Sequence, residues 1–351
     1  MTTINVLRFN EYSGVFIGDE SISSGEMNLD VSDKIQSVVP SVISDKYGVV
    51  AALGATGSCS VGSEMKSRSF KAFKKIYDDH FKAYGRAPDH FIGIPEMMDL
   101  IYEQIIMIRK ELIDAKIKGI YGFDSDDFNQ GFYDQGEDKI SIKNTSILSE
   151  VTDWLMWKHE IDAVRSIYAN AGVFGGYDEE NGFLLYNLDF REGYYHEVQS
   201  CYRAEGSGRH SVDPHMYDFV ENLLVEERRG KIDPAEGTLA LLNAVNKAVT
   251  HEIGIGGYFN IILINGRNKK KTEKLREIND ERAYLSQLTA KAWGAGFLKY
   301  ETAVDLIDQL LFQNKPYESV YKIFMENIKP RKECMRYLRG YKIKAGRNLS
   351  N

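Results

Sequence analysis

The sequence predicts a mixed α/β fold in which antiparallel sheets are layered with helices. Two observations predict it. Apolar runs of strand length come as hairpin-like pairs, one pair over residues 2–18 and another over 172–186. Between and after them lie long stretches of helical periodicity, so the order is strands, helices, strands, helices, strand. That order fits antiparallel sheets between helices and not the one-for-one βαβ alternation of a doubly wound sheet. The chain has 351 residues, of which 43% are hydrophobic and 12% aromatic, so one large or two modest domains can bury a full core.

Residues 2–9 and 14–18 read as the first two strands, with Asn10 to Ser13 as the turn. Residues 35–39 and 47–53 read as further strands. The second runs from Tyr47 to Leu53 into Gly54-Ala-Thr-Gly57, which brings main-chain N–H groups to a strand end. Helical spacing covers 64–83 and 95–118, the latter carrying Met98, Ile101, Ile105, Ile108 and Leu112. Residues 121–145 are polar and glycine-rich, a loop or small hairpin. A helix follows over about 146–171, with Trp154 and Trp157 on its core side. The second hairpin uses Gly172 to Gly176 and Phe183 to Tyr186. A strand at 194–203 then ends in Glu205-Gly-Ser-Gly208. Helices at about 213–228 and 235–250 precede a closing strand at 258–264. After Gly266 come a basic stretch and three helical patterns, at 273–293, 299–313 and 317–328. Pro316 stands where a helix begins.

Bulk chemistry narrows the function. A net charge of −7 argues against a dedicated nucleic-acid binder. The three cysteines, Cys59, Cys201 and Cys334, are far apart and indicate neither a disulfide framework nor a zinc site. No signal-peptide pattern and no apolar run near ~20 residues is present. The expectation is a soluble, cytoplasmic protein without a membrane partner. There is no Gly-x-x-x-x-Gly-Lys-Ser/Thr, and Gly206-x-Gly208 and Gly254-x-Gly256 lack the rest of a dinucleotide fingerprint. The acidic run Asp124 to Asn129 lacks the glycine and closing Glu of a calcium loop, and the histidines lack ligand spacing. Neither cofactor nor metal is expected.

The candidate chemistry is at the start. Removal of Met1 would leave Thr2 as an N-terminal threonine, with a hydroxyl to attack and an amine to take its proton. Such an amine titrates near about 7.7–8.0 in reference peptides, which suits a base at neutral pH.

Read together, Thr2-Thr3-Ile4, Gly18-Asp19, Lys34-Ile35, Gly54 to Gly57, Gly175-Gly176, Ala204 to Gly208 and Glu252 to Gly257 resemble the proteasome β-type family, closest to the bacterial ATP-dependent peptidase subunit HslV. The likeness covers roughly 2–60 and 170–266. It implies a four-layer αββα N-terminal-nucleophile domain over 1–266, enlarged by a helical insertion at about 84–170 and followed by a helical extension at 267–351. By the same resemblance Thr2 is the nucleophile of a threonine-dependent peptidase, passing through an ester on its hydroxyl. Lys34 lies beside Thr2 and Asp19 orients Lys34. Gly54, or by a shift of register Ala55 or Thr56, donates to the oxyanion. Ser207 and Glu252 support the amine. Two departures stand out: Glu252 replaces the family's Asp, and Ile255 its Ser. They keep open a non-catalytic scaffold of the same fold, and transfer of the acyl group to another amine is a further alternative. The resemblance also implies a peptide or unfolded-protein substrate and a homo-oligomer, with a ring as one form and room for an ATPase partner.

Overall fold

The computed structural model describes residues 3–24, 27–30, 33–155, 170–190, 193–223, 231–251 and 257–339. Two five-stranded antiparallel sheets dominate. The first is built from β1 (Ile4–Asn10), β2 (Ser13–Asp19), β12 (Tyr202–Glu205), β13 (Phe259–Asn265) and β14 (Leu275–Ile278), in the order β12-β1-β2-β13-β14. The second is built from β5 (Ile35–Ser37), β6 (Val50–Thr56), β9 (Ala171–Asp178), β10 (Gly182–Asp189) and β11 (Tyr194–Glu197), in the order β11-β10-β9-β6-β5. Two further hairpins stand apart, β3 (Ser21–Ser24) with β4 (Met27–Asp30) and β7 (Phe132–Gln135) with β8 (Asp138–Ser141).

Strand alternation sorts the apolar side chains into separate clusters. Ile4, Val6, Phe16, Ile262 and Ile264 of the first sheet meet Ile35, Val50, Ala52, Val173 and Leu185 of the second. The opposite side chains of the first sheet, among them Leu7, Phe9, Val15, Ile17 and Ile261, pack on helices. These include α6 (Arg209–Glu221), α7 (Pro234–His251) and α8 (Glu281–Gly294). Ala51, Leu53, Phe174 and Leu188 of the second sheet pack on α1 (Ser41–Tyr47), α2 (Cys59–Tyr84) and α3 (Ile94–Tyr121). Both sheets are covered on both faces, which is why their strands read as nearly continuous apolar runs.

The first turn forms where expected. The Asn10 carboxamide accepts from the Tyr12 N–H at 3.0 Å and the Ser13 hydroxyl at 2.8 Å, an Asx-type turn. Other expectations need correction. Residues 41–47 form a helix between β5 and β6, opened by Pro40 and closed by Gly48 at φ 73°. β6 therefore begins at Val50, three residues past Tyr47, and runs on through Gly54, Ala55 and Thr56. The strand expected at 194–203 is two strands. Tyr194–Glu197 pairs with β10 and Tyr202–Glu205 pairs with β1, so the chain crosses between sheets here. Val198 is buried in the inter-sheet cluster and Cys201 in the helix-side cluster of the first sheet.

The polar segment at 121–145 holds a short helix, α4 (Ser125–Gln130), and the small β7–β8 hairpin. With α5 (Thr145–Leu155) they enclose a separate apolar cluster around Phe123, Val151 and Trp154. Trp157 lies outside the described residues, and residue 171, expected at a helix end, begins β9. Residues 275–278, expected within a helix, are the edge strand β14 paired to β13. Beyond it α8, α9 (Tyr300–Ile307), a π-helical turn at Asp308–Phe312, α10 (Tyr317–Asn327) and α11 (Arg331–Leu338) share one core with α7.

Candidate functional site at one end of the two sheets

Strand register brings several of the candidate residues to one end. Ile4 pairs with Gly18 and Glu205, and Phe259 pairs with Asp19. In the second sheet Ile35 pairs with Gly54, and Thr56 with Ala171. The sheets touch there: a Cβ on Gly54 would lie 2.7 Å from Cγ2 of Ile4. The first described residue, Thr3, thus meets the end of β2 and the segment leading into β5.

Asp19 is the hub. Its Oδ1 accepts the Thr3 N–H at 2.8 Å, and its Oδ2 takes the Lys34 ammonium at 2.8 Å. The two side chains are 0% and 4% exposed. Burial pushes the Lys34 ammonium below its ordinary pKa, and the Asp19 charge and hydrogen bond oppose that shift. The Thr3 hydroxyl accepts from the Asn5 carboxamide at 3.0 Å, and the Thr3 carbonyl accepts the Asp19 N–H at 3.4 Å. The first residues of β1 are therefore pinned from several directions. A buried ammonium held by the same carboxylate that accepts the Thr3 N–H can stabilise an oxyanion developing beside it.

Gly54 lies inside β6, flanked by β5 and β9 rather than in an open turn. Its missing side chain is accounted for by the close approach of Ile4. The Ala55 N–H donates to the Lys34 carbonyl at 3.1 Å. Past the strand, Gly57 has φ 102° and the Ser58 N–H donates to Asn170 at 2.7 Å. Ser207 is an exposed turn residue two positions beyond Glu205. Glu205 is buried and paired with Arg203. The Arg209 guanidinium lies 3.8 Å from Glu205 and donates to Asp213 at 2.9 Å, so β12 is tied to α6 on both sides of Ser207. Thr2, Glu252 and Ile255 lie outside the described residues.

Three buried polar residues at this end were not singled out from sequence: Asn5, Lys66 and Asn260. A signal existed for each. Asn5 and Asn260 interrupt apolar strands, and Lys66 falls on the Gly62, Met65, Ser69, Phe73 stripe by which α2 is buried. Among the described residues no group of three or more His, Cys, Asp or Glu side chains is placed to hold a metal ion. No helix among them is long and apolar enough to cross a membrane.

Two solved structures of Anbu proteins align with the chain. One is an Anbu mutant from Hyphomicrobium sp. strain MC1, at 12% identity and TM-score 0.48, over 84% of this chain and 95% of that one. The other is Anbu, described as an ancestral beta-subunit, from Yersinia bercovieri, at 10% identity and TM-score 0.47, over 84% and 94%. No family model and no curated protein matches the chain. These findings correct the expected kinship: the matching structures bear the name Anbu rather than that of the proteasome β-type subunit HslV. At such identity and TM-score the likeness carries no argument about function.

Proposed function

We propose that the chain is an amide-bond hydrolase whose nucleophile is Thr2, exposed by removal of Met1. One observation carries the reading. Asp19 bridges the Thr3 N–H and the Lys34 ammonium, so the residue after the proposed nucleophile is fixed beside a buried cation. In this reaction the Thr2 hydroxyl attacks a peptide carbonyl while its amine takes the hydroxyl proton through a water. Lys34 stabilises the alkoxide, and the proton passes to the departing amine as the C–N bond breaks. Water then hydrolyses the ester on Thr2. The main-chain N–H groups expected as oxyanion donors lie in a paired strand, Ala55 bonded to the Lys34 carbonyl at 3.1 Å and Gly54 and Thr56 opposite Val173 and Ala171 of β9, so the Lys34 ammonium is proposed to hold the oxyanion as well. Ser207 and Glu252 are proposed to steady the amine.

The same proposal takes the two sheets and their helices as an αββα architecture of the N-terminal-nucleophile type over 1–266, with 267–351 as a mostly helical extension. Supporting it are the inter-sheet cluster and the two helix-facing clusters. A peptide or unfolded-protein substrate and a homo-oligomer belong to the same reading.

The test is intact mass before and after an electrophile selective for N-terminal threonine. Loss of Met1 and one adduct mapped to Thr2 are expected, together with peptide hydrolysis that Thr2→Ala abolishes. Hydrolysis surviving in Thr2→Ala would remove Thr2 from the mechanism.

A further inference from the structure

We propose that Lys66 and Asn260 are positioning residues that clamp the main chain of Asp33–Ile35 and thereby fix the Lys34 ammonium, an inference that rests on the role proposed for Lys34. Three consecutive carbonyls are held by three different elements. The Lys66 ammonium, reaching from α2, donates to the Asp33 carbonyl. The Ala55 N–H of β6 donates to the Lys34 carbonyl at 3.1 Å. The Asn260 carboxamide of β13 donates to the Ile35 carbonyl at 3.4 Å and to the Asp33 carboxylate at the same distance. The clamped segment is the one that carries Lys34 into contact with Asp19.

Neither residue is where folding alone would put it. Lys66 is 6% exposed on the apolar stripe of α2, where an uncharged side chain would avoid desolvating an ammonium. Its hydrogen-bond acceptor is the Asp33 main-chain carbonyl, and the charge of the Asp33 carboxylate opposes but does not outweigh the desolvation of the ammonium. Asn260 is 3% exposed in a strand whose other buried residues are all apolar, and its carboxamide oxygen is left without a partner while its NH2 serves 33 and 35. Both accept an energetic cost to supply donors to the same three residues. Asn260 also pairs with Gly18, next to Asp19, so the clamp is anchored to the strand that carries the ammonium's carboxylate.

The geometry of a reacting group matters steeply, since a 1 Å displacement can cost about 100-fold in rate. The test compares wild type, Lys66→Met, Lys66→Arg and Asn260→Leu. It measures the maximal rate and half-saturation of Thr2 labelling by the same electrophile, melting temperature, and amide exchange at Ala55. Lys66→Met and Asn260→Leu are expected to lower the maximal labelling rate between about 10- and 100-fold with half-saturation unchanged. Exchange at Ala55 is expected to quicken while the melting temperature moves little. Lys66→Arg, which keeps a donor, is expected to recover most of the rate. Wild-type labelling and wild-type Ala55 exchange in Lys66→Met would overturn the inference. A wild type that loses Met1 and is still not labelled at Thr2 would instead overturn the proposed function. Exchange at Ala55 decides the clamp in that case, quickened exchange supporting it and unchanged exchange refuting it.

Discussion

At the scale of single residues, the Asp19–Lys34 pair combines a chemical and a structural role, and this shapes how it can be tested. Removing one partner of a buried ion pair leaves the other charge uncompensated, at a cost of about 3–5 kcal/mol. Lys34→Ala is therefore expected to lose stability as well as rate. The double variant Asp19→Asn/Lys34→Met is expected to unfold closer to the wild-type urea concentration than Lys34→Ala does. Equal unfolding midpoints for Lys34→Ala and wild type would mean that the pair is solvated. Burial also holds the Lys34 and Lys66 ammonium groups below their ordinary value of 10.5. Between the lowered folded value and 10.5 the unfolded chain binds more protons than the folded one. Stability from these two groups thus rises with pH across that window. The Lys66→Met variant lacks one of them. The unfolding free energy of wild type minus that of Lys66→Met is accordingly expected to increase as pH rises toward 10.5, measured by urea titration. A flat difference would place Lys66 in water.

At the scale of elements, close approaches decide which residues the strands can carry. A methyl group at Gly54 would meet Cγ2 of Ile4 at 2.7 Å, inside the contact of the two sheets. Gly54→Ala is expected to cost roughly 1–3 kcal/mol, read from urea unfolding, whatever its effect on rate. A second joint links the β9–β10 turn to α3. The Asp178 carboxylate accepts the first N–H of α3, from Ile94, at 2.7 Å and the turn N–H groups of Glu180 and Asn181 at 2.9 and 2.6 Å. Its loss in Asp178→Ala is expected to cost about 0.5–2 kcal/mol and to speed amide exchange at Ile94. Protection at Ile94 equal to wild type would refute this anchoring role. Elements with a strong period and clear punctuation were legible in the sequence. The β1–β2 and β9–β10 hairpins and helices α2, α3 and α7 fall where expected, within a few residues. The helix at 41–47 and the strand at 275–278 were not legible. Seven and four residues are too short for a period to show, and their form is set by the neighbours they pack on.

At the scale of the whole molecule, burial separates the three thiols. Cys59 is exposed at the start of α2, while Cys201 and Cys334 lie in the core shared by the first sheet and the C-terminal helices. Native protein is expected to react with a thiol reagent rapidly at one site, Cys59, and at the other two only on unfolding. Fast reaction at Cys334 would mean that the C-terminal helices open independently of the sheet. Cys334 also reports on pH, because burial pushes its thiol up to about 11. The unfolded thiol ionises first, so its share of stability is present below about pH 9 and falls as pH rises toward 11.

The sequence by itself determined the mixed α/β class, the main hairpins and long helices, and Asp19 and Lys34 as candidate partners. Those features are written in local periodicity, turn chemistry and a short run of motif residues. Only the tertiary structure decided that Asp19 reaches both Thr3 and Lys34, that Gly54 sits within a strand against Ile4, and that the strand expected at 194–203 is shared between two sheets. It alone brought Lys66 and Asn260, 194 positions apart in the numbering, onto one three-residue segment. The reason is physical. A period reports which face of an element is buried, but a hydrogen bond between distant elements depends on sheet register and on which strand ends meet.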